Sequence, residues 1–434
     1  MKKRNAVRFK IIYLLLAVPM FYYVTQDIQI GGFGFMYRYL FGLAIMALAF
    51  LQFLIEGEPG RFGHILKTAA VLSVPYLFTL LYSMIVWITG LAPLKVMTRG
   101  LFFIVYQEIA ILAAASVLYL AGKSGVLLQL SAVLMANGIH LAESIQKHGL
   151  SGFLGEYKEL ILSMTARTGP IMKHFEVLGY SYIFGLFLVY LILAGREFSE
   201  GGSGGWRRAG LFLLGLLCTA FFFLGLKRSV LLGAGIALAA GFLLERLPGS
   251  WLRRVCLGLC WLGVAGGIAY IIACRYGWFH WLESMGINTN SRVEVMDLFR
   301  SYYDLGLGFF GRGAGYVSGM IASGELVIEV DGYQFGDIHN DFLRQYIELG
   351  AFGFAAWLWT FLNFRVGWLF RAGEDREGVR RGALGFCFIL AVFITFLTEN
   401  SLYHYYTTLT MALLVMAGFA GEGRQEGTDG DKAA

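Results

Sequence analysis

Residues 337–364 read "DIHNDFLRQYIELGAFGFAAWLWTFLNF". A polar mouth, "DIHND", opens onto an apolar run from Phe342 to Phe364 in which Arg344 and Glu348 are the only charges. As a helix rising ~1.5 Å per residue, such a run crosses a hydrocarbon core of ~30 Å. Comparable runs recur along almost the whole chain. Its 434 residues are 57% hydrophobic and only 15% charged, whereas a soluble domain carries about 25% charged residues. The runs are continuous rather than alternating, which argues against a membrane β-barrel. The pattern predicts an all-α polytopic membrane protein.

About twelve spans are expected, near 11–26, 33–54, 68–89, 101–121, 125–145, 177–194, 209–226, 229–245, 255–274, 342–364, 382–398 and 403–420. The boundary at 226/229 leaves almost no loop. "MKKRNAVRFK" leads into the first span without a small-residue cleavage site, so no cleavable signal is expected. With the N-terminus inside, 21 of the 35 lysines and arginines fall in cytoplasmic segments, so both termini are expected in the cytoplasm. Residues 1–420 are read as one membrane domain, with outer segments at 146–176 and 275–341 and a flexible cytoplasmic tail over 421–434. The latter outer segment falls between spans nine and ten. It mixes aromatics, glycines and charges, as suits a lid or binding loop. The Gly-rich stretch 196–208 also reads as flexible.

Several function classes lose their supports. There is no Walker A pattern, no HExxH and no Gly-x-Ser-x-Gly elbow. "GRGAGY" (311–316) has no strand before it and reads as a tight turn requiring positive φ. Cys218, Cys256, Cys260, Cys274 and Cys387 lie in or at the edge of spans, in no zinc-ligand spacing, and read as small buried hydrophobes. A flippase or other transporter would show charges along a midplane cavity and related halves; no internal repeat is visible.

What remains is a set of polar residues at expected outer ends of spans. On a continuous helix His339, Leu343, Tyr346, Ile347 and Gly350 share a face, with Gly350 about three turns along and small enough to admit a neighbouring helix. Asp337 or Asn340 would cap the helix. Asp341 with Arg344, and Arg344 with Glu348, are spaced to pair along it. Lys227 and Arg228 interrupt two apolar runs. Arg292 and Arg300 stand eight residues apart, with Glu294 and Asp297 between them. Glu399 and His404 sit in the last hairpin, and Arg167 and Lys173 form a weaker pair. Arginine suits phosphate because its planar fork donates two parallel hydrogen bonds. The cluster Asp337, His339, Asp341 has the alternation of carboxylate and imidazole that could also hold a divalent cation.

"HNDFLRQYIELGAFGF" resembles the signature of the O-antigen ligase / Wzy polymerase family, membrane enzymes acting on undecaprenyl-pyrophosphate-linked glycans. The family's His-x10-Gly pattern is met by His339 and Gly350, its Arg-x3-Leu pattern by Arg228 and Leu232, its glycine-rich stretch by 311–315, and its Thr-Glu by Thr398 and Glu399. The specific match covers roughly 226–404. The resemblance implies inverting, GT-C-like glycosyl transfer at the outer face of the cytoplasmic membrane, metal-independent and without a cofactor. His339 and Glu399 would be catalytic. Arg228, Arg292, Arg300 and Lys227 would bind pyrophosphate, with Arg292 preferred as the arginine of the outer loop. Asn340, Asp341, Arg344 and Gly350 would orient the helix. The implied partners are the lipid-linked glycan, membrane lipid, and the flippase and chain-length regulator of the same pathway, with no nucleic acid. Polymerase is favoured over ligase; the motif is shared.

Overall fold

The computed structural model describes residues 2–24, 26–30, 33–57, 59–163, 171, 174–175, 180–194, 205–225, 227–286, 289, 291–330, 333–372 and 375–419. Their regular structure is almost entirely helical. The main helices are α1 (Lys2–Tyr22), α2 (Tyr37–Glu56), α3 (Pro59–Thr89), α4 (Leu94–Ala121), α5 (Ser124–Ser163), α6 (Tyr180–Leu193), α7 (Gly205–Gly225), α8 (Arg228–Leu244) and α9 (Gly249–Tyr276). Three short helices follow, α10 (His280–Ser284), α11 (Arg292–Leu298) and α12 (Tyr316–Ser323). The chain ends in α13 (Asp341–Trp359), a π-turn (Thr360–Phe364), α14 (Arg365–Arg371), α15 (Arg376–Thr395) and α16 (Tyr405–Phe419). Among the described residues seven helices are long and apolar enough to cross a membrane, and four more, Tyr180–Leu193, Ala209–Gly225, Arg228–Leu244 and Tyr405–Phe419, are shorter and apolar. This is an all-α chain of the membrane type. Large apolar side chains stand exposed on these helices, including Leu81, Ile85 and Ile88 on α3 and Trp261 and Leu262 on α9. Hydrocarbon accepts such faces at no cost, whereas water does not.

Each expected span overlaps one of these helices, of which, among the described residues, seven have the length and hydropathy of a membrane span, and the ends differ in detail. Residues 33–36, expected at the start of the second span, instead form strand β2 (Phe33–Met36), antiparallel to β1 (Asp27–Ile30). Residues 146–163, expected as loop, extend α5, with a break at Gly149 (φ 74°, ψ 157°). Only glycine tolerates that conformation cheaply. The expected outer segment 275–341 holds α10, α11, α12, a 3-10 turn at Arg300–Tyr302 and a hairpin of β3 (Ile328–Val330) with β4 (Tyr333–Phe335). The tight 226/229 boundary is a true break: α7 ends at Gly225 and α8 begins at Arg228. Arg167, Lys173, the 196–204 part of the Gly-rich stretch and the 421–434 tail lie outside the described residues. All five cysteines are free and buried.

Contacts gather the chain into two compact units. The first comprises 1–70, 109–243 and 406–434. In it α1 packs on α2 and α5, and α6 on α7. Polar groups are satisfied locally: Gln129 Nε2 donates to Thr410 Oγ1 at 3.2 Å. The Arg61 guanidinium donates to the Leu118 and Tyr119 carbonyls at the end of α4, where the helix dipole favours a cation.

The second unit comprises 71–108 and 244–405. Here α9 packs against α13 and α15. Pro75 lies inside α3 and cannot donate its hydrogen bond. The neighbouring Leu72 carbonyl accepts from the buried guanidinium of Arg365, which also stacks 4.5 Å over Phe361. Pro75 removes the helical donor of the Val71 carbonyl, four residues before it, so the Arg365 contact braces the adjoining carbonyl of the same turn.

Candidate functional site

In the second unit the polar mouth of α13 is tied to the turn that follows α15. Asn340 is the helix cap: its Oδ1 accepts from Leu343 N at 3.0 Å, a contact worth ~1 kcal/mol. Its Nδ2 donates to Tyr270 Oη at 2.8 Å, and that hydroxyl donates to the Leu397 carbonyl at 2.7 Å. The Asp341 amide donates to the Phe396 and Glu399 carbonyls at 3.0 and 3.1 Å. Its buried carboxylate accepts from Leu402 N at 2.7 Å. Two stretches some sixty residues apart are thereby laced together.

His339 lies just before the helix, half-buried, in the left-handed region at φ 49°. Histidine is one of the few non-glycine residues enriched there, though the conformation is still uncommon. The expected shared helical face of His339 and Gly350 is therefore corrected at both ends. The histidine precedes α13, and Gly350 breaks it at φ 67°, ψ −173°. That region is essentially restricted to glycine. Among the described residues, the atoms nearest a side chain at Gly350 belong to a loop and not to a second helix. Instead the backbone of Phe309–Gly311 lies against Gly350. Ala351 N donates to the Phe309 carbonyl at 2.9 Å, and Arg312 and Gly313 donate to the Ile347 and Glu348 carbonyls at 3.0 and 2.7 Å. Gly311, Gly313 and Gly315 have φ of 83°, 84° and 82°, as the turn reading of 311–316 anticipates.

The expected pairing of Arg344 is also corrected. Its ion pair is with Asp337 rather than with Asp341 or Glu348, and its guanidinium sits 5.8 Å over the Tyr403 ring. Glu348 turns toward the glycine loop, accepting from Val317 N at 3.3 Å. Asp341 is held through its Oδ2 by Leu402 N at 2.7 Å. Asp337 also accepts from Ile338 N at 2.8 Å and from Asn400 Nδ2 at 3.4 Å.

Arg292 opens α11 and reaches Glu399, Nη2 to Oε1 at 3.0 Å. The carboxylate side chain is 8% exposed and the guanidinium 30%. The buried partner anchors the fork while part of it still faces outward. Two residues expected in the site, 107 apart in sequence, are thus brought together, beside the backbone that carries Asn340 and Asp341. Arg300 is placed elsewhere: it pairs with Asp297 at 2.6 Å, and Asp297 accepts from His280 Nε2 at 2.7 Å. That hydrogen bond, with Glu283 in support, raises the His280 imidazole above its ordinary value. Lys227 and Arg228 belong to the first unit. Arg228 is exposed at the start of α8, and the Lys227 ammonium is 5.3 Å over the Tyr182 ring. His404 donates its amide to the Ser401 carbonyl at 3.0 Å.

Three residues of this cluster carry no signal in the sequence. Tyr270 and Tyr403 are aromatic residues amid other aromatics, and Asn400 is one polar residue in a turn. The buried Arg365 and the half-buried Glu108 are different, since a charge inside an apolar run is itself a signal. Ser73 Oγ donates to Glu108 Oε2 at 2.5 Å. Among the described residues no group of three His, Cys, Asp or Glu side chains is spaced to hold a metal ion. The carboxylates of Asp337 and Asp341 are engaged by protein donors. No family model and no curated protein matches this chain.

Proposed function

We propose that the chain is a membrane glycosyltransferase. It polymerises undecaprenyl-pyrophosphate-linked oligosaccharide repeat units into a surface polysaccharide such as O-antigen, capsule or exopolysaccharide. The reaction takes place at the extracytoplasmic face of the cytoplasmic membrane, with about twelve spans and both termini inside. The observation that carries the reading is the Arg292–Glu399 pair set beside the Asp337–Asp341 mouth, in a chain otherwise built of apolar helices. A lipid-linked pyrophosphate needs this combination: a greasy scaffold for the tail, a cation at its end for the phosphates, and a titratable group for the sugar.

The acceptor hydroxyl attacks the anomeric carbon with inversion, and its proton passes to the His339 imidazole, a side chain suited to general-base work. The bond from the anomeric carbon to the pyrophosphate oxygen breaks, and its electron pair leaves on the phosphate. The outward part of the Arg292 fork stabilises that charge. Glu399 aims the arginine; Asn340 and Asp341 hold the His339 backbone. Arg300 drops out of the phosphate role because Asp297 takes its charge. Lys227 and Arg228 keep that role by the family pattern alone.

Purified protein in liposomes, supplied with lipid-linked repeat units and nothing else, tests the reading. Chain elongation supports a polymerase. Transfer only after addition of a lipid A core, protein or wall acceptor points to the ligase alternative. Movement of the substrate across the bilayer without transfer would replace the enzyme by a flippase. Activity that survives exhaustive chelation supports metal-independent transfer, and loss restored by a divalent cation overturns that part.

A further inference from the structure

At the opposite end of the helices that frame His339, the second unit holds a basic cavity of about 640 Å³. Gly249 and Ser250 at the start of α9, Arg253, Arg254 and Leu257 further along it, Phe370 on α14, and Arg376 and Val379 on α15 line it. The 28 residues of α9 put this cavity about 42 Å from the other end of that helix at ~1.5 Å per residue.

Arg253, Arg254 and Arg376 are all exposed. Among the described residues none of the three has a carboxylate within ion-pair distance. The nearby Asp375 and Glu377 are turned to Arg381, 4.0 Å from each, and Asp375 also accepts from Gly378 N at 2.8 Å. Among the described residues, three cations thus converge on one hollow without an ion-pair partner. The wall behind them is apolar, made by Leu257, Phe370 and Val379. Trp251, 57% exposed, lies beneath the Arg254 guanidinium at 5.8 Å. Exposed tryptophan beside arginine at the end of an apolar helix marks a membrane–water boundary.

The geometry points to a second binding site here, for the phosphate headgroup of an anionic lipid: guanidinium forks at the mouth take the phosphate oxygens and the apolar wall takes the start of an acyl chain. Basic pockets between membrane helices bind anionic headgroups by this chemistry. A general excess of positive charge on one side of the membrane would supply arginines without a cavity or an apolar wall. The site is independent of the proposed reaction, and its test does not require activity.

Delipidated full-length protein is titrated with phosphatidylglycerol, phosphatidylcholine or inorganic phosphate, and bound species are counted by native mass spectrometry. Phosphatidylglycerol is expected to bind in preference to phosphatidylcholine. Arg253→Gln, Arg254→Gln and Arg376→Gln should each weaken that binding on the order of fivefold, the equivalent of about 1 kcal/mol per basic residue. Arg380→Gln, exposed on α15 but outside the cavity, should leave it unchanged. An equal loss in Arg380→Gln would overturn the site in favour of diffuse surface charge. Inorganic phosphate displacing the lipid at equal concentration would overturn the lipid and leave a soluble phosphate ligand. No loss in any of the three cavity variants would overturn both.

Discussion

Arg292 Nη2 lies 3.0 Å from Glu399 Oε1, a contact between the first residue of α11 and a turn 107 residues later. The carboxylate is nearly buried and the guanidinium partly open. A buried acid that loses its base is left with an uncompensated charge, at a cost of ~3–5 kcal/mol. Arg292→Met should therefore lose both stability and transfer. Glu399→Gln keeps a hydrogen-bond acceptor and should fold, but it leaves the fork less well aimed. Its transfer rate should fall by roughly 10²-fold. The double variant should be no slower than Arg292→Met alone. Chain elongation by purified protein reads each variant, and additive losses would separate the two roles.

His339 poses a backbone question along with its chemistry, because its φ of 49° is tolerated by asparagine and glycine and resisted by β-branched residues. His339→Asn and His339→Gly should fold and lose transfer by about 10²–10⁴-fold, the usual contribution of a general base. His339→Val should fail differently, through lowered thermal stability. Near-normal elongation by a well-folded His339→Asn would remove the histidine from the chemistry.

Gly350 is the least replaceable glycine of α13. A methyl group there would meet the Phe309 carbonyl and the Phe310–Gly311 backbone, and the conformation itself costs about 1–3 kcal/mol for other residues. Gly350→Ala should lower the thermal midpoint in detergent and raise hydrogen exchange across 309–315. An unchanged midpoint would mean that the loop yields.

His280 is expected to give the segment that holds α10 and α11 a pH dependence. Its hydrogen bond to Asp297 and the nearby Glu283 raise the imidazole above its ordinary value. A raised folded value means that the stabilisation is complete below the ordinary value, roughly pH 6.5, and is lost as pH rises through the folded one. Hydrogen exchange in α10 and α11 should quicken over that interval in the native protein. In His280→Phe it should follow only the intrinsic chemical dependence on pH.

Much of the scaffold was legible from the chain. Long continuous apolar runs announce membrane helices because a helix satisfies its backbone polar groups within one segment, whereas a barrel strand would alternate. The turn at 311–316 was legible from its alternating glycines, and Asn340 from the preference of its side chain for a helix start. The extension of α5 through 146–163 was not, because its polar composition resembles a loop. The hairpin at 27–36 was not either, since strand β2 is as apolar as the span it precedes.

Sequence alone determined the class of fold, the positions of the apolar segments and the unusual concentration of charge around 337–348. Those are properties of composition and local spacing, which need no partner to be read. Tertiary structure alone decided whom each charge meets: Arg344 turns to Asp337, Glu348 to the glycine loop, and Arg292 to Glu399. Spacing along a helix offers a charge several neighbours of similar merit. The choice among them falls to burial, because in apolar surroundings each carboxylate must find its nearest donor and cannot remain with water.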